Sequence, residues 1–283
     1  MSRVAVLGLG AMGRAIAARL LGAGNDVTVW NRSLGRDEEL VAAGARRTES
    51  PADAVSDREV VITMLTDGPA LEQVMFGDRG AAGVIPPDAA LIEMSTIGPT
   101  ALASVAERLA PVAVLDAPVL GSVPSVEAGR LVIFVGGDRD VFERRADLLG
   151  LLGTTMYLGP SGSGAMLKLV NNAAGIAALV AVGELLALTD RAGLKQDTVL
   201  DSLAAGPLAS MIERWRPRLK DEDQSSYFRL ALARKDLALA FDEADRLGTR
   251  LGVSEAAAVR CDEAIEAGLT DEDFGAVVGF LRR

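Results

Sequence analysis

Residues 4–13 read VAVLGLGAMG, an apolar run that leads into three glycines spaced Gly-x-Gly-x-x-Gly, and this stretch decides the fold. Gly8 permits a tight turn, Gly10 lets the backbone approach a pyrophosphate, and Gly13 lets a helix pack on the preceding strand. The helical pattern that follows presents free N–H groups to phosphates. A merely tight strand-to-helix turn has the same glycines, but the position between a strand and a helix favours dinucleotide binding.

Outward from this motif, short apolar runs alternate with helical patterns as far as about residue 158. Near-continuous apolar runs are typical of strands covered on both faces. Seven are predicted as strands: RVAVLGL (3–9), DVTVWN (26–31), EVVITML (59–65), ALIEMS (90–95), VAVLDAP (112–118), RLVIFVGG (130–137) and TTMYLG (154–159). Helical patterns between them cover 12–21, 37–43, 69–75, 99–109 and 138–149. The alternation predicts an α/β fold with a Rossmann-type, doubly wound N-terminal domain.

The strand signal stops at the Pro160-Ser161-Gly162 turn. Helical patterns follow at 164–191, 197–204, 211–219, 230–247, 254–267 and 271–281. We therefore expect two domains: residues 1–161, which bind the dinucleotide, and residues 162–283, an all-α substrate and dimerisation domain. The long helix at its start is expected to join the two as an interdomain helix.

Composition excludes several classes of protein. The net charge of −10 and the pI near 4.7 have the wrong sign for a nucleic-acid binder. The chain has no histidine, which removes histidine acid–base catalysis, Ser-His-Asp triads and most zinc sites, and no metal site is expected.

We also expect a cytoplasmic protein without a membrane anchor. The single cysteine, Cys261, cannot form an intrachain disulfide and is expected to be a half-buried thiol in a reducing compartment. A strand pattern starts by residue 4, so no secretory signal is expected. Only 15 uncharged residues separate Lys168 from Glu184, fewer than the ~20 apolar residues of a membrane span.

The residues after the second strand indicate which nicotinamide cofactor binds. An Asp or Glu there would hold the ribose 2′-hydroxyl of NAD. This chain instead has Trp30-Asn31-Arg32-Ser33, in which Arg32 can pair with a 2′-phosphate and Asn31 and Ser33 can donate hydrogen bonds. NADP(H) is therefore expected to be preferred over NAD(H), although Asp37 and Glu38 follow closely. The alternative is that Arg32 stacks on adenine and Ser33 caps the next helix.

Lys168 is unusual because it begins an otherwise apolar helical stretch, and only four of the 29 basic residues are lysines. On a helix it shares a face with Asn172. One interpretation is structural: Lys168 reaches solvent along the helix surface, and the asparagines make structural hydrogen bonds. The other is catalytic, because a reductase without histidine still needs a proton donor, and a partly desolvated lysine has its pKa lowered toward working pH.

Six stretches together resemble the β-hydroxyacid dehydrogenase family, of 3-hydroxyisobutyrate dehydrogenase type. They are GLGAMG (8–13), WNRS (30–33), EMST (93–96), DAPVLGSVPSVEAGRL (116–131), GSGAMLKLVNN (162–172) and Lys235-Asp236. The resemblance runs over nearly the whole chain and is closest to the glyoxylate/succinic semialdehyde reductase branch. It implies NADP(H)-dependent interconversion of a small aldehyde or keto acid and its hydroxy acid, in a dimer or tetramer with the active site between the two domains.

The resemblance also implies a role for individual residues. Lys168 matches the catalytic lysine and Asn172 the asparagine that accompanies it. The residues matching the family's substrate pocket are Ser95, Thr96, Gly121, Ser122, Phe228 and Asp236; the last two are alternatively a core aromatic and a helix ion pair. The expected cofactor contacts are Gly8, Leu9, Gly10, Ala11, Met12, Gly13, Asn31, Arg32, Ser33, Met64, Leu65 and Thr96.

The chain departs from the family pattern in the pocket loop. Leu120 stands where the family has a small polar residue, and Val123-Pro124-Ser125 replaces a lysine-bearing segment of the plant-type reductases. The loop is therefore more apolar, which leaves two alternatives open. One is an imine reductase-like enzyme that reduces C=N with NADPH, and the other is a non-catalytic NADPH-binding module.

Overall fold

The computed structural model describes residues 1–220 and 228–283, which form two compact units, Met1–Leu169 and Val170–Arg283. The boundary predicted after residue 161 stays a prediction. The contacts between residues instead divide the chain after Leu169, eight residues later. The reason is that the first turns of helix α8 (Ser163–Arg191) pack within the first unit.

The first unit is built on a parallel sheet of six strands in the order β3-β2-β1-β4-β5-β6. The strands are β1 (Arg3–Leu7), β2 (Asp26–Trp30), β3 (Arg46–Arg47), β4 (Val60–Thr63), β5 (Ala90–Glu93) and β6 (Ala113–Asp116). Strand β1 lies between β2 and β4, which is the order of a dinucleotide-binding fold. The two-residue strand β3 was not predicted.

Side chains of the central strands alternate between two apolar cores, one on each face of the sheet. Val4 and Val6 pack with helix α1 (Ala11–Gly22), whereas Ala5 and Leu7 pack with the helices of the opposite face. The helices up to β6 are α1, α2 (Glu38–Ala42), α3 (Pro51–Val55), α4 (Gly68–Phe76) and α5 (Pro99–Leu109). The predicted doubly wound sheet is confirmed.

The sequence pattern suggested that the last two predicted strands belong to this sheet, but they do not. Strands β7 (Val119–Leu120), β8 (Leu131–Val135) and β9 (Gly153–Tyr157) form a second, three-stranded sheet. Its pairs are antiparallel between β7 and β8 and parallel between β8 and β9. Helices α6 (Val123–Glu127) and α7 (Arg139–Gly150) connect these strands. The hydrogen bonds between Asp116 and Gly136 join this sheet to the end of β6.

In its described residues the second unit is helical, as predicted. After α8 come α9 (Gln196–Ala204), α10 (Ala209–Leu219), α11 (Leu230–Arg246), α12 (Gly252–Ala264), a π-helical turn (Ile265–Leu269) and α13 (Ala276–Leu281). The last helix was predicted from residue 271 and begins five residues later. Asp273 instead pairs with Arg229 in an isolated bridge, and its carboxylate accepts the Phe228 and Gly275 N–H groups.

Helix α8 is long and apolar enough, by length and composition, to cross a membrane, although the Lys168–Glu184 spacing had predicted otherwise. Of the apolar window that meets this test, 44% is buried inside the protein. Core helices of soluble proteins meet the same test.

Cys261 on α12 is completely buried, so the expectation of a half-buried thiol was wrong. Burial raises the pKa of Cys261 to about 11. At pH 8 only about one thiol in 1,000 is then ionised, and thiolate is the reactive form. We expect iodoacetamide to label the native chain far more slowly than the guanidinium-unfolded chain, measured by mass spectrometry. Equal rates in the two states would contradict the burial of this thiol.

Candidate functional site

The glycine loop after β1 is closely packed at two of its three glycines. Gly8 has φ +100°, and a Cβ there would lie 2.7 Å from Leu65 Cδ2 and overlap the Met64 carbonyl oxygen. A Cβ at Gly13 would overlap the Gly8 carbonyl oxygen. The structure thus brings the glycine loop against Met64 and Leu65, which were predicted to contact the same cofactor.

Gly10 differs from its neighbours, because a Cβ there would meet no atom within 4 Å. It is exposed and stands directly before α1, which has neither a side-chain cap at Gly10 nor an acidic residue in its first turn. An uncapped helix start beside open space is the arrangement that binds a pyrophosphate. The residues present therefore fit a dinucleotide.

Asn31 links two loops of the predicted cofactor site. Its Oδ1 accepts the Leu9 N–H at 2.9 Å, and its Nδ2 donates to the Ser33 carbonyl oxygen at 2.8 Å. Ser33 is exposed and does not cap the next helix, since the residue before α2 is Asp37. Asn31 therefore holds the glycine loop to the segment predicted to bind the 2′-phosphate.

The segment after β2 carries exposed charges of both signs, since Glu38 is exposed as well as two arginines. Arg32 and Arg36 are both exposed, and within the described part of the chain neither lies within 4 Å of a carboxylate. Asp37, whose charge argued against a phosphate, is buried and pairs with Arg47, whose Nη2 donates to its Oδ1 at 2.9 Å.

A buried carboxylate organises the ends of β4 and β5. Glu93, 1% exposed, accepts the Ser95 N–H at 2.6 Å and the hydroxyl of Thr63, its register partner on β4. Ser95 Oγ accepts the Leu65 N–H at 2.7 Å. Ser95, predicted to line the pocket, thus binds the loop after β4 through its Oγ. Thr96 beside it is half-buried.

Gly121 and Ser122 form a tight turn into α6. Gly121 has φ +141°, and a Cβ there would lie 2.7 Å from Leu131 Cδ2. Ser122, half-buried, precedes α6, and its N–H donates to Ser125 Oγ at 3.3 Å. Leu120, the apolar residue that differs from the family pattern, is half-buried in β7 opposite Val132. It lies directly before this turn.

Lys168 lies in the second turn of α8 and is half-buried. The start of this helix is held by Asp116 at the end of β6. Asp116 Oδ1 accepts the Gly162 N–H at 2.9 Å, and Oδ2 accepts the Ala165 N–H at 2.8 Å. The backbone that carries Lys168 is thereby fixed to the sheet.

The second unit brings Asn172 and Asp236 together, although 64 residues separate them in sequence. Asn172 Nδ2 donates to Asp236 Oδ2 at 2.5 Å, and Lys235 Nζ lies 3.0 Å from Oδ1. Asp236 is 1% exposed, so this amide and this ammonium compensate a buried charge. The Lys235 contact agrees with the alternative of a helix ion pair, and the pocket role of Asp236 stays a prediction.

Phe228 is half-buried and packs in an aromatic cluster. Its ring meets Phe274 edge to face, with centroids 6.3 Å apart, and Phe274 meets Trp215 in the same way at 5.9 Å. These contacts support the core-packing interpretation of Phe228. Its pocket role stays a prediction.

Two residues of this region were not singled out from the sequence, namely Glu93 and Asp116. They are register partners at the carboxyl ends of β5 and β6, and both are 1% exposed. The signal was present, because an acidic residue closes each of the apolar runs ALIE and AVLD. A charge that ends a buried strand lies at the edge of the sheet where ligands bind.

Comparison with known proteins relates both parts of the chain to dehydrogenases. Residues 3–159 match a family model described as the NAD-binding domain of 6-phosphogluconate dehydrogenase. Residues 162–281 match one described as NAD-binding of NADP-dependent 3-hydroxyisobutyrate dehydrogenase.

Individual proteins are similar over nearly the full chain. Glyoxylate/succinic semialdehyde reductase 1 of Arabidopsis thaliana is 35% identical over 97% of this chain and 96% of its own length. NAD-dependent L-serine dehydrogenase of Pseudomonas aeruginosa is 31% identical over 98% and 97%. The structure of Mycobacterium tuberculosis 3-hydroxyisobutyrate dehydrogenase with L-serine superposes with a TM-score of 0.91, at 28% identity and full coverage of both chains.

The fold, the glycine loop and these similarities define a nicotinamide-dependent oxidoreductase that acts on hydroxy acids or their carbonyl counterparts. The chain belongs to the β-hydroxyacid dehydrogenase family, of the 3-hydroxyisobutyrate dehydrogenase type.

Within the described ranges 1–220 and 228–283, no group of three or more Cys, Asp or Glu side chains could hold a metal ion.

Proposed function

We propose that the protein is an NADP(H)-dependent reductase that interconverts a small aldehyde or keto acid and its hydroxy acid, with Lys168 as general acid and base. One observation carries the proposal. Lys168 is half-buried on a helix whose first turn is hydrogen-bonded to Asp116, and one turn later Asn172 donates an amide hydrogen to Asp236. In a chain without histidine, Lys168 is the best placed proton donor of the predicted site.

In the proposed reaction, the nicotinamide when bound supplies the hydride. Lys168 Nζ stabilises the negative charge that develops on the carbonyl oxygen and donates the proton to it. Asn172 has a second amide hydrogen besides the one donated to Asp236, and it orients the same oxygen. Donors around Thr96, Gly121 and Ser122 hold the acid group of the substrate.

The test is NADPH consumption by the purified protein with four substrates: glyoxylate, succinic semialdehyde, methylmalonate semialdehyde and one cyclic imine. Turnover of an aldehyde acid supports the proposal and ranks the substrates. Turnover of the imine alone would favour C=N reduction, consistent with the apolar Leu120. NADPH binding without any turnover would favour the non-catalytic module.

The substrate class rests on two observations. The Arabidopsis relative is named for glyoxylate and succinic semialdehyde, two small aldehyde acids. The pocket loop of this chain is more apolar at Leu120 and has no lysine in residues 123–125. We therefore propose that succinic semialdehyde and bulkier aldehyde acids are turned over better than glyoxylate.

The preference for NADP(H) rests on Arg32 and Arg36, which are exposed beside the cofactor loop, and on Asp37, whose charge Arg47 compensates. The Pseudomonas relative is NAD-dependent, so the family includes enzymes of either preference. An exposed guanidinium pairs with a phosphate through two parallel hydrogen bonds.

Arg32→Ala is expected to raise the Kd for NADPH about tenfold and to leave that for NADH within about twofold. The reason is the loss of a charge-assisted hydrogen bond at an exposed site, worth about 1.5 kcal/mol. Fluorescence titration with each cofactor measures the change, and Arg144→Ala on the exposed part of α7 is the control. An equal loss for both cofactors would assign Arg32 to the adenine instead.

We further propose a homo-oligomer, a dimer or tetramer. Exposed apolar side chains follow one side of α8, with Val170, Leu185 and Leu188 exposed by 54%, 45% and 64%. Light scattering coupled to gel filtration tests this, and a monomer at micromolar concentration would contradict it.

The net charge of −10 supports our proposal that no nucleic acid binds. The burial of 44% of the apolar window of α8 supports our proposal that this helix is not inserted into a membrane, and the cytoplasmic location stays an expectation from the sequence.

A further inference from the structure

Asp116 is a buried carboxylate that the proposed reaction does not use. It ends β6 and is 1% exposed. Its two oxygens accept one N–H each, from Gly162 at 2.9 Å and from Ala165 at 2.8 Å. The first N–H groups of a helix have no partner within the helix, so this carboxylate satisfies donors at the start of α8. Its negative charge also opposes the positive end of the helix dipole.

The surroundings of Asp116 leave space for a carboxylate and little else. A Cβ at Gly136 would lie 2.7 Å from both carboxylate oxygens, and one at Gly164 would lie 2.9 Å from Oδ2. Gly164 also brings α8 against the Phe134 carbonyl of β8. The backbone of Asp116 exchanges two hydrogen bonds with Gly136, at 3.1 and 2.9 Å. Two glycines and four hydrogen bonds therefore fix the position of this side chain.

Asp116 connects two parts of the predicted site. After it the chain runs directly into the turn at Gly121 and Ser122, proposed to hold the substrate's acid group. Its carboxylate binds the first turn of α8, and Lys168 follows Ala165 by three residues, which is about one helical turn. A displacement of α8 along its axis would move Lys168 relative to the turn.

We propose that Asp116 is a positioning residue, which fixes the first turn of α8 so that Lys168 stands at the proton-transfer distance from a substrate held by Gly121 and Ser122. This rests on the proposed function, in which Lys168 transfers the proton. A misplacement of about 1 Å can lower a rate by about 100-fold.

The test begins with Asp116→Asn, which keeps the shape but replaces one acceptor by a donor that faces an N–H. We expect kcat for the best aldehyde acid to fall about 10- to 100-fold, while the Kd for NADPH changes less than about twofold. The control is Asp138→Asn, the same change at the start of α7, where Asp138 accepts the Val141 N–H at 2.9 Å. Because α7 carries none of the proposed site residues, kcat should not change.

A double-mutant cycle separates positioning from a general structural role. If Asp116 acts through Lys168, then Asp116→Asn has no further effect on kcat in the Lys168→Ala background. Additive losses, or an unchanged kcat in Asp116→Asn alone, would overturn the proposal and leave the function of Lys168 intact. Full turnover in Lys168→Ala alone would instead overturn the proposed function and this proposal with it.

If the Asn variant does not fold, Asp116→Ser replaces it in the cycle. Its side chain is smaller than the native one, so it fits the same space, and its hydroxyl can accept one of the two N–H groups. The same non-additivity is expected, and additive losses would again overturn the proposal.

Discussion

Lys168→Ala lowers kcat for the aldehyde acid about 10²- to 10⁴-fold and changes the Kd for NADPH less than about twofold, if Lys168 transfers the proton as proposed. The loss falls on turnover because the charge that Lys168 stabilises exists only as the carbonyl is reduced. The measurement is the rate of NADPH consumption at saturating substrate, together with a fluorescence titration of NADPH.

Two further variants make this prediction specific. Lys168→Arg keeps the positive charge, but a guanidinium remains protonated throughout the working range and cannot act as the acid, so turnover should stay low. Lys195→Ala removes an exposed lysine at the start of α9 and should leave kcat unchanged. Comparable turnover in Lys168→Ala and the unmodified protein would refute the catalytic role.

The second large effect is expected at Gly10, where alanine should weaken NADPH binding on the order of 100-fold, about 2.8 kcal/mol. A Cβ at this position meets no protein atom within 4 Å, so the variant should fold normally. The added methyl group instead occupies space that a pyrophosphate needs beside the start of α1. Isothermal titration with NADPH measures the change.

Gly22→Ala is the matched control, because it is the same substitution at the other end of α1 and also meets no atom within 4 Å. It should leave NADPH affinity unchanged. Gly13→Ala should behave in the opposite way and lower the melting temperature, since its Cβ overlaps the Gly8 carbonyl oxygen. Unchanged NADPH affinity in Gly10→Ala would mean that the pyrophosphate does not approach the backbone there.

Much of the fold follows from local sequence, because the central strands are apolar runs of four or five residues that glycine, proline or polar turns interrupt. Strands β3 and β7, two residues each, are too short to show a periodic pattern. The assignment of β8 and β9 to a second sheet depends on pairing between distant segments. The late start of α13 has the same origin, since Asp273 pairs with Arg229 across 44 residues of chain.

The sequence indicates a candidate site where residue type and spacing carry the chemistry, as in the glycine loop and at Lys168, whose role stays a prediction. Partner choice was not predictable. The sequence does not indicate that Asn172 donates to Asp236, that Arg47 pairs with Asp37, or that Asp116 binds the start of α8. Each of these contacts joins residues brought together only by the folded chain.

The two hydrogen bonds of Asn31 bear on how such an enzyme can change its coenzyme in evolution. An acidic residue after the second strand is the usual partner of an unphosphorylated ribose. Aspartate has the shape of asparagine and would keep an acceptor for the Leu9 N–H, but its other carboxylate oxygen would face the Ser33 carbonyl oxygen, which Asn31 now binds as a donor. The Leu9 contact therefore requires an acceptor at this position, and the Ser33 contact favours the amide over a carboxylate, so an acidic residue here would also require the Ser33 segment to move.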